Sequence, residues 1–239
     1  MPEARIEFHE QLRELEEETL STLELTSSSL DQAIESVLMR DQELAVMVIN
    51  NDDRIDGRYL DVHQGVLSLL ARQSPVASDL RLVAAVLLTI NHVERIGDLT
   101  VNIAKMVPLM GEAPAGAEEI LAKVEAAGNQ ARDQIRQSQT AFKQRNVSLA
   151  EDLVSQDDVI DRLNRQVFRE AVEIGANDDH SREWGAHVML IARYIERIGD
   201  NTVDIGEQIA FVVTGEFREF TDASHPGGVA MENPNSPAG

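Results

Sequence analysis

The 239-residue chain carries 42 acidic and 21 basic side chains, a formal net charge of −21, and no cysteine. So acidic a surface repels phosphate backbones and anionic headgroups, which argues against nucleic-acid binding and peripheral membrane binding. The lack of thiols removes disulfides, zinc-thiolate sites, iron–sulfur clusters and cysteine nucleophiles. Residues 1–7 are charged and do not read as a signal peptide. The longest apolar stretch, Val83 to Ile90, falls far short of the roughly 20 residues that span a bilayer. The expectation is a soluble, cytoplasmic protein with no membrane insertion.

Helical periodicity begins at Arg5 and continues to about Met39, with Ile6, Leu12, Leu15, Leu23, Leu30, Ile34 and Leu38 near heptad spacing. Asp41 then reads as the N-cap of a second helix, through Leu44, Val48, Ile55, Val62 and Leu69 to about Arg72. Ser74-Pro75 breaks the chain, and a third helix runs to about Val107, apolar around much of its circumference and so expected between neighbours. Pro108 to Gly116 reads as a linker. Three further helices are predicted, over about 117–145, 147–175 and 181–213. The last has a three-four stripe of Trp184, Val188, Ile191, Ile195, Ile198, Ile205, Ile209 and Val212. From Arg218 onward Thr, Ser, Gly, Asn and Pro predict a disordered tail.

The two halves are repeats. Glu94-Arg95-Ile96-Gly97-Asp98 recurs unchanged as Glu196-Arg197-Ile198-Gly199-Asp200, and Asp52-Asp53-Arg54-Ile55-Asp56 is echoed by Asp157-Asp158-Val159-Ile160-Asp161. The expected fold is therefore all-α: two tandem antiparallel three-helix bundles over residues 1–112 and 117–217, followed by a tail over 218–239.

Within each pentapeptide two carboxylates lie four residues apart, on one helical face. Like charges at this spacing cost about 0.2–0.5 kcal/mol, and the included glycine about 1 kcal/mol relative to alanine. A bound cation would offset both. The Asp-x-x-x-Asp pairs on the preceding helices stand at nearly the same height above the intervening turn. Four carboxylates can thus converge in each bundle: Asp52, Asp56, Glu94 and Asp98 in the first, Asp157, Asp161, Glu196 and Asp200 in the second. A lone pair of this kind is ordinarily a solvated acidic face; two copies, each opposed by a second pair, point to metal. All-oxygen ligation suits Mg²⁺, Ca²⁺, Mn²⁺ or ferric iron. Asn102 and Asp204 extend the rows by one turn, and Arg95 and Arg197 are candidates to hold an anion at the rim. The six histidines show no mutual ligand spacing and read as surface or core filler. No serine or histidine triad and no glycine-rich phosphate loop is present.

With its doubled Glu-Arg-Ile-Gly-Asp, its two Asp-x-x-Ile-Asp stretches and Pro75-Val76-Ala77-Ser78-Asp79-Leu80-Arg81, the sequence resembles the PhoU family over about residues 5 to 215. The resemblance implies two three-helix bundles, each binding an iron or zinc cluster through the eight acids named above. It also implies a non-enzymatic phosphate transport regulator, linking the ATPase of a phosphate ABC transporter to a sensor histidine kinase and repressing the phosphate-starvation response. A homodimer is one assembly open to such a chain, and a metal-dependent phosphohydrolase is the alternative function. Two departures bear on the clusters: Leu99 and Asn201 stand where the family often has histidine, and Asp-Leu-Arg has no counterpart in the second half.

Overall fold

The computed structural model describes residues 2–220, and side chains from Arg5 onward. Seven helices follow one another: α1 Pro2–Met39, α2 Gln42–Asn51, α3 Asp53–Arg72, α4 Ala77–Met110, α5 Glu118–Gln144, α6 Val147–Ile174 and α7 Asp179–Thr214. No strand occurs among the described residues. The sequence expectation for 221–239, the larger part of the proposed tail, lies outside them. Phe220, inside them, folds back: its N–H donates to Glu207 Oε1 at 2.7 Å.

Helix boundaries follow local chemistry. Asp41 caps α2 by accepting the Leu44 N–H at 2.9 Å, Asn146 caps α6 through Leu149 N–H at 3.2 Å, and Asp178 caps α7 through Ser181 N–H at 2.7 Å. Gly215 ends α7 in the left-handed region at φ +79°. The predicted linker is shorter than its composition suggests, because α4 continues through Pro108 to Met110. Val107 and Met110, either side of that proline, are buried.

The second predicted helix, expected unbroken from 41 to 72, is two helices meeting at Asp52. There the amide bonds to Ile49 O (3.4 Å) and Ile55 N–H reaches Asp52 O (2.7 Å), three-residue steps in an otherwise four-residue ladder. Asn50, Asn51, Asp52 and Asp53 are all weak helix formers whose side chains compete for backbone groups. The matching stretch of α6, Ser155-Gln156-Asp157-Asp158, stays helical throughout.

Each half forms a three-helix bundle, with α1, α2/α3 and α4 in the first and α5, α6 and α7 in the second. The bundles pack through α4 against α7 and α1 against α5, so a single apolar core runs through both. Polar ties line the α1–α5 seam: Arg145 to Glu16 at 2.7 Å, Arg132 to Asp31 at 3.2 Å, and Gln139 Nε2 donating to Leu20 O at 2.8 Å. The all-round apolar character of α4 is explained by its place between its own bundle and α7. No helix among the described residues is long and apolar enough to cross a membrane.

Candidate metal centres

In the first bundle the α2–α3 break puts Asp52 beside α4. A Cβ on Gly97 would stand 3.3 Å from Asp52 Oδ1 and 3.2 Å from Ile55 Cγ2, so the acid-bearing junction packs closely on the Glu94/Asp98 face. Three of these acids are raised. Burial pushes Asp52 up to about 6, reinforced by Asp56, Asp98 and Glu94 and opposed by Lys105. Burial likewise raises Asp56, with Asp98 and Asp53 adding to it. Glu94 is raised by burial, Asp98 and Asp56 against the pull of Arg95. Asp56 and Asp98 are open to solvent, while Asp52 and Glu94 are half-buried.

The second bundle repeats the arrangement more deeply. Asp157, Asp161 and Glu196 are only 1, 5 and 5% exposed. Gly199 again makes room: a Cβ there would overlap Asp157 Oδ1. Burial pushes Glu196 up to about 7, with Asp200 and Asp161 adding to it and Arg193 and Arg197 opposing. Two guanidiniums stand on the cluster, Arg165 on Asp161 at 3.0 Å and Arg193 on Glu196. Their repeat-related positions in the first bundle are Leu60 and Asn91, so the first cluster has no arginine of this kind. One Glu196 oxygen, Oε2, is buried without a hydrogen-bond partner, the state of a buried acceptor that a cation satisfies.

The structure thus brings Asp52 against the Glu94/Asp98 helix and Asp157 against the Glu196/Asp200 helix, with charge effects among the acids of each group. Among the described residues, no three acidic or histidine side chains are grouped so as to hold one ion. The donor set fits hard cations: Asp52, Asp56, Glu94 and Asp98 would hold one group, and Asp157, Asp161, Glu196 and Asp200 the other. Such a cation supplies countercharge and cross-links the carboxylate-bearing helices. In the second bundle it would take over the charge that Arg165 and Arg193 now provide.

The neighbouring expectations fare differently. Asp204 stands 3.5 Å from His92 Nδ1, and the same nitrogen is 3.1 Å from Asn201 Oδ1. Asn201 also donates to Arg197 O at 2.8 Å. His92, read from sequence as filler, thus joins α4 to α7. Leu99 and Asn201, the two departures from the family pattern, are both buried. Arg81 of the Asp-Leu-Arg signature is half-buried: a Cβ on Gly215 would meet its guanidinium at 3.3 Å, and its Nε is buried without a hydrogen-bond partner. Asp79 of the same signature is 3.3 Å from His9 of α1. Neither Arg165 nor Arg193 was singled out by sequence. Their i+4 and i−3 spacing to Asp161 and Glu196 was the available signal.

A match to the PhoU domain covers residues 19–107 and again 124–209, one in each bundle. The chain belongs to the PhoU family. It is 31% identical over 216 residues to the phosphate-specific transport system accessory protein PhoU homolog 1 of Thermotoga maritima, covering 90% of this chain and 93% of that one. To the PhoU homolog of Clostridium acetobutylicum it is 29% identical, across 90% and 98% of the two chains. The crystal structure of PhoU from Pseudomonas aeruginosa superposes with a TM-score of 0.82 at 26% identity, covering 87% of this chain and all of that one. The phosphate transport system regulatory protein PhoU from Streptococcus pneumoniae gives 0.81 at 25% identity, over 89% and 99%.

Proposed function

We propose that the chain is a regulatory accessory protein of a phosphate transport system: a metal-binding, cytoplasmic, non-catalytic adaptor between the transporter's ATPase and a sensor histidine kinase, which keeps the phosphate-starvation response off. PhoU-family membership supports the assignment to phosphate transport. The observation that supports metal binding is the doubled carboxylate cluster, in which each bundle presses an aspartate against a glycine of the facing helix. Like charges gathered on facing helices, buried in the second bundle, favour a cation. Membership of a family of accessory proteins supports an adaptor over a phosphohydrolase.

Deletion of the gene is expected to derepress phosphate-starvation genes in phosphate-replete medium, and unchanged expression would remove the regulatory reading. Elemental analysis of protein purified without chelator or affinity-metal resin is expected to find stoichiometric iron or another hard cation, reduced in Asp98→Asn and Asp200→Asn. Zinc is the weaker candidate for an all-oxygen donor set. Metal-free protein with an unchanged melting temperature on metal addition would remove the metal reading. Phosphoester turnover by the metal-loaded protein, abolished in Glu94→Ala, would install the hydrolase in the adaptor's place.

A further inference from the structure

On the outer face of the second bundle, α6 and α7 enclose a groove of about 1030 Å³. Its walls carry Arg162, Arg165 and Arg169 from α6 and Arg193 from α7, and its floor includes Phe168 and Leu190. The two apolar side chains are 57% and 44% exposed. Four arginines on one groove are conspicuous in a chain of net charge −21. They are also confined to this half: the repeat-related residues of the first bundle are Gly57, Leu60, Gln64 and Asn91. Arg165 and Arg193 reach back to Asp161 and Glu196 and form the inner wall. Arg162 and Arg169 are exposed and make no ion pair among the described residues, so they supply the unneutralised charge.

We propose that this groove docks an acidic amphipathic α-helix of a partner protein. Positions 162, 165 and 169 follow one another by three and four residues, a single face of α6. From 162 to 169 along α6, and from 186 to 193 along α7, each wall extends about 10 Å. That length matches two turns of a docked helix anchored at i, i+3 or i+4, and i+7. Leucines of the incoming helix cover Phe168 and Leu190 while its carboxylates meet the arginine rim, the pairing that sets orientation and partner choice at such surfaces. A free inorganic anion leaves the apolar floor uncovered. A bilayer is disfavoured by the concave shape of the groove and by the charge of the rest of the molecule.

The test uses the full chain and a fluorescein-labelled designed peptide of about four helical turns, with leucine at one i, i+3, i+4, i+7 stripe and glutamate elsewhere. Fluorescence anisotropy at low salt is expected to show micromolar binding that weakens as salt is added. The R162E/R169E double variant is expected to weaken it about tenfold or more, and Leu190→Ser to weaken it independently of salt. Any binding of a lysine-for-glutamate peptide to this acidic chain should not be weakened by R162E/R169E, and Q64E on the first bundle should leave binding of the acidic peptide unchanged. All four replaced residues are exposed, and thermal melts are expected to match the parent. No binding, or binding indifferent to R162E/R169E, overturns the proposal. So does sedimentation of the chain with phosphatidylserine–phosphatidylcholine vesicles that R162E/R169E abolishes, which would make the face a lipid site. A self-associated chain that dissociates in the same variant would make it an interface between copies and overturn it likewise.

Discussion

Replacing each motif glycine by alanine separates the two clusters. Alanine in a helix interior is favoured over glycine by about 1 kcal/mol, so each substitution starts with that gain. At Gly97 the new methyl meets Ile55 Cγ2 at 3.2 Å, Asp52 Oδ1 at 3.3 Å and Ile55 Cδ1 at 3.3 Å. These are side-chain atoms beside a half-buried acid, and shifts of a few tenths of an ångström relieve them. Gly97→Ala is expected to be neutral to slightly stabilising. At Gly199 the methyl overlaps Asp157 Oδ1 and stands 3.1 Å from Ile160 Cδ1. Asp157 is 1% exposed and has nowhere to turn without repacking, and overpacking of this kind costs about 1–3 kcal/mol. Set against the helix gain, Gly199→Ala should lose up to about 2 kcal/mol, roughly 2–4 °C per kcal/mol in melting temperature for a chain of this size. Urea denaturation in chelator measures the difference, and metal titration should show weakened binding only at the second site. Equal stability of the two variants would refute the close-packed role of Gly199.

The raised carboxylates give a pH dependence. Asp52 and Glu196, moved from ordinary values of 3.8 and 4.5 to about 6 and about 7, favour folding when protonated. Their contribution is present below about pH 4 and lost as pH rises through 6 to 7, so the metal-free protein should lose stability between pH 5 and 8, and Asp52→Asn with Glu196→Gln should flatten that slope. Metal binding in this window should release protons, measurable as a buffer-dependent enthalpy in calorimetry. Arg193→Ala should cost about 1 kcal/mol in chelator yet tighten metal at the second site, because it removes the competing cation; looser binding would place Arg193 among the groups that support the ion. His92→Leu should destabilise by about 1 kcal/mol through the lost Asn201 partner, read by urea denaturation.

Most of the helical architecture was legible because it rests on periodicity: stripes such as Trp184 to Val212 can be buried on only one side, and Asp41 caps where its position predicts. The opposed acids were legible because they are a few turns from a break that both strands of the hairpin share. Other features depend on groups distant in sequence. The α2–α3 break is set by four competing polar side chains, which propensity disfavours without saying where the ladder yields. The bridge from His92 to Asn201 joins residues 109 apart, and the destination of Arg81 at the end of α7 depends on how the bundles lie together. Arg165 and Arg193 gain their role only from the burial of Asp161 and Glu196, which sequence spacing does not reveal.

The two clusters thus share one motif but face different electrostatic problems. In the first, Asp56 and Asp98 stay in water, where like charges are screened and side chains are free to rotate onto an ion. In the second, three of four acids are buried, where an uncompensated charge is far more costly; arginine supplies part of the countercharge, and one Glu196 oxygen remains unsatisfied. A cation at the first site competes with water, whereas at the second it must displace guanidiniums as well. Displacement would turn Arg165 and Arg193 away from Asp161 and Glu196, towards the groove they already line. In the second bundle, therefore, a cation bound by the carboxylates would also change the charge presented by the outer face.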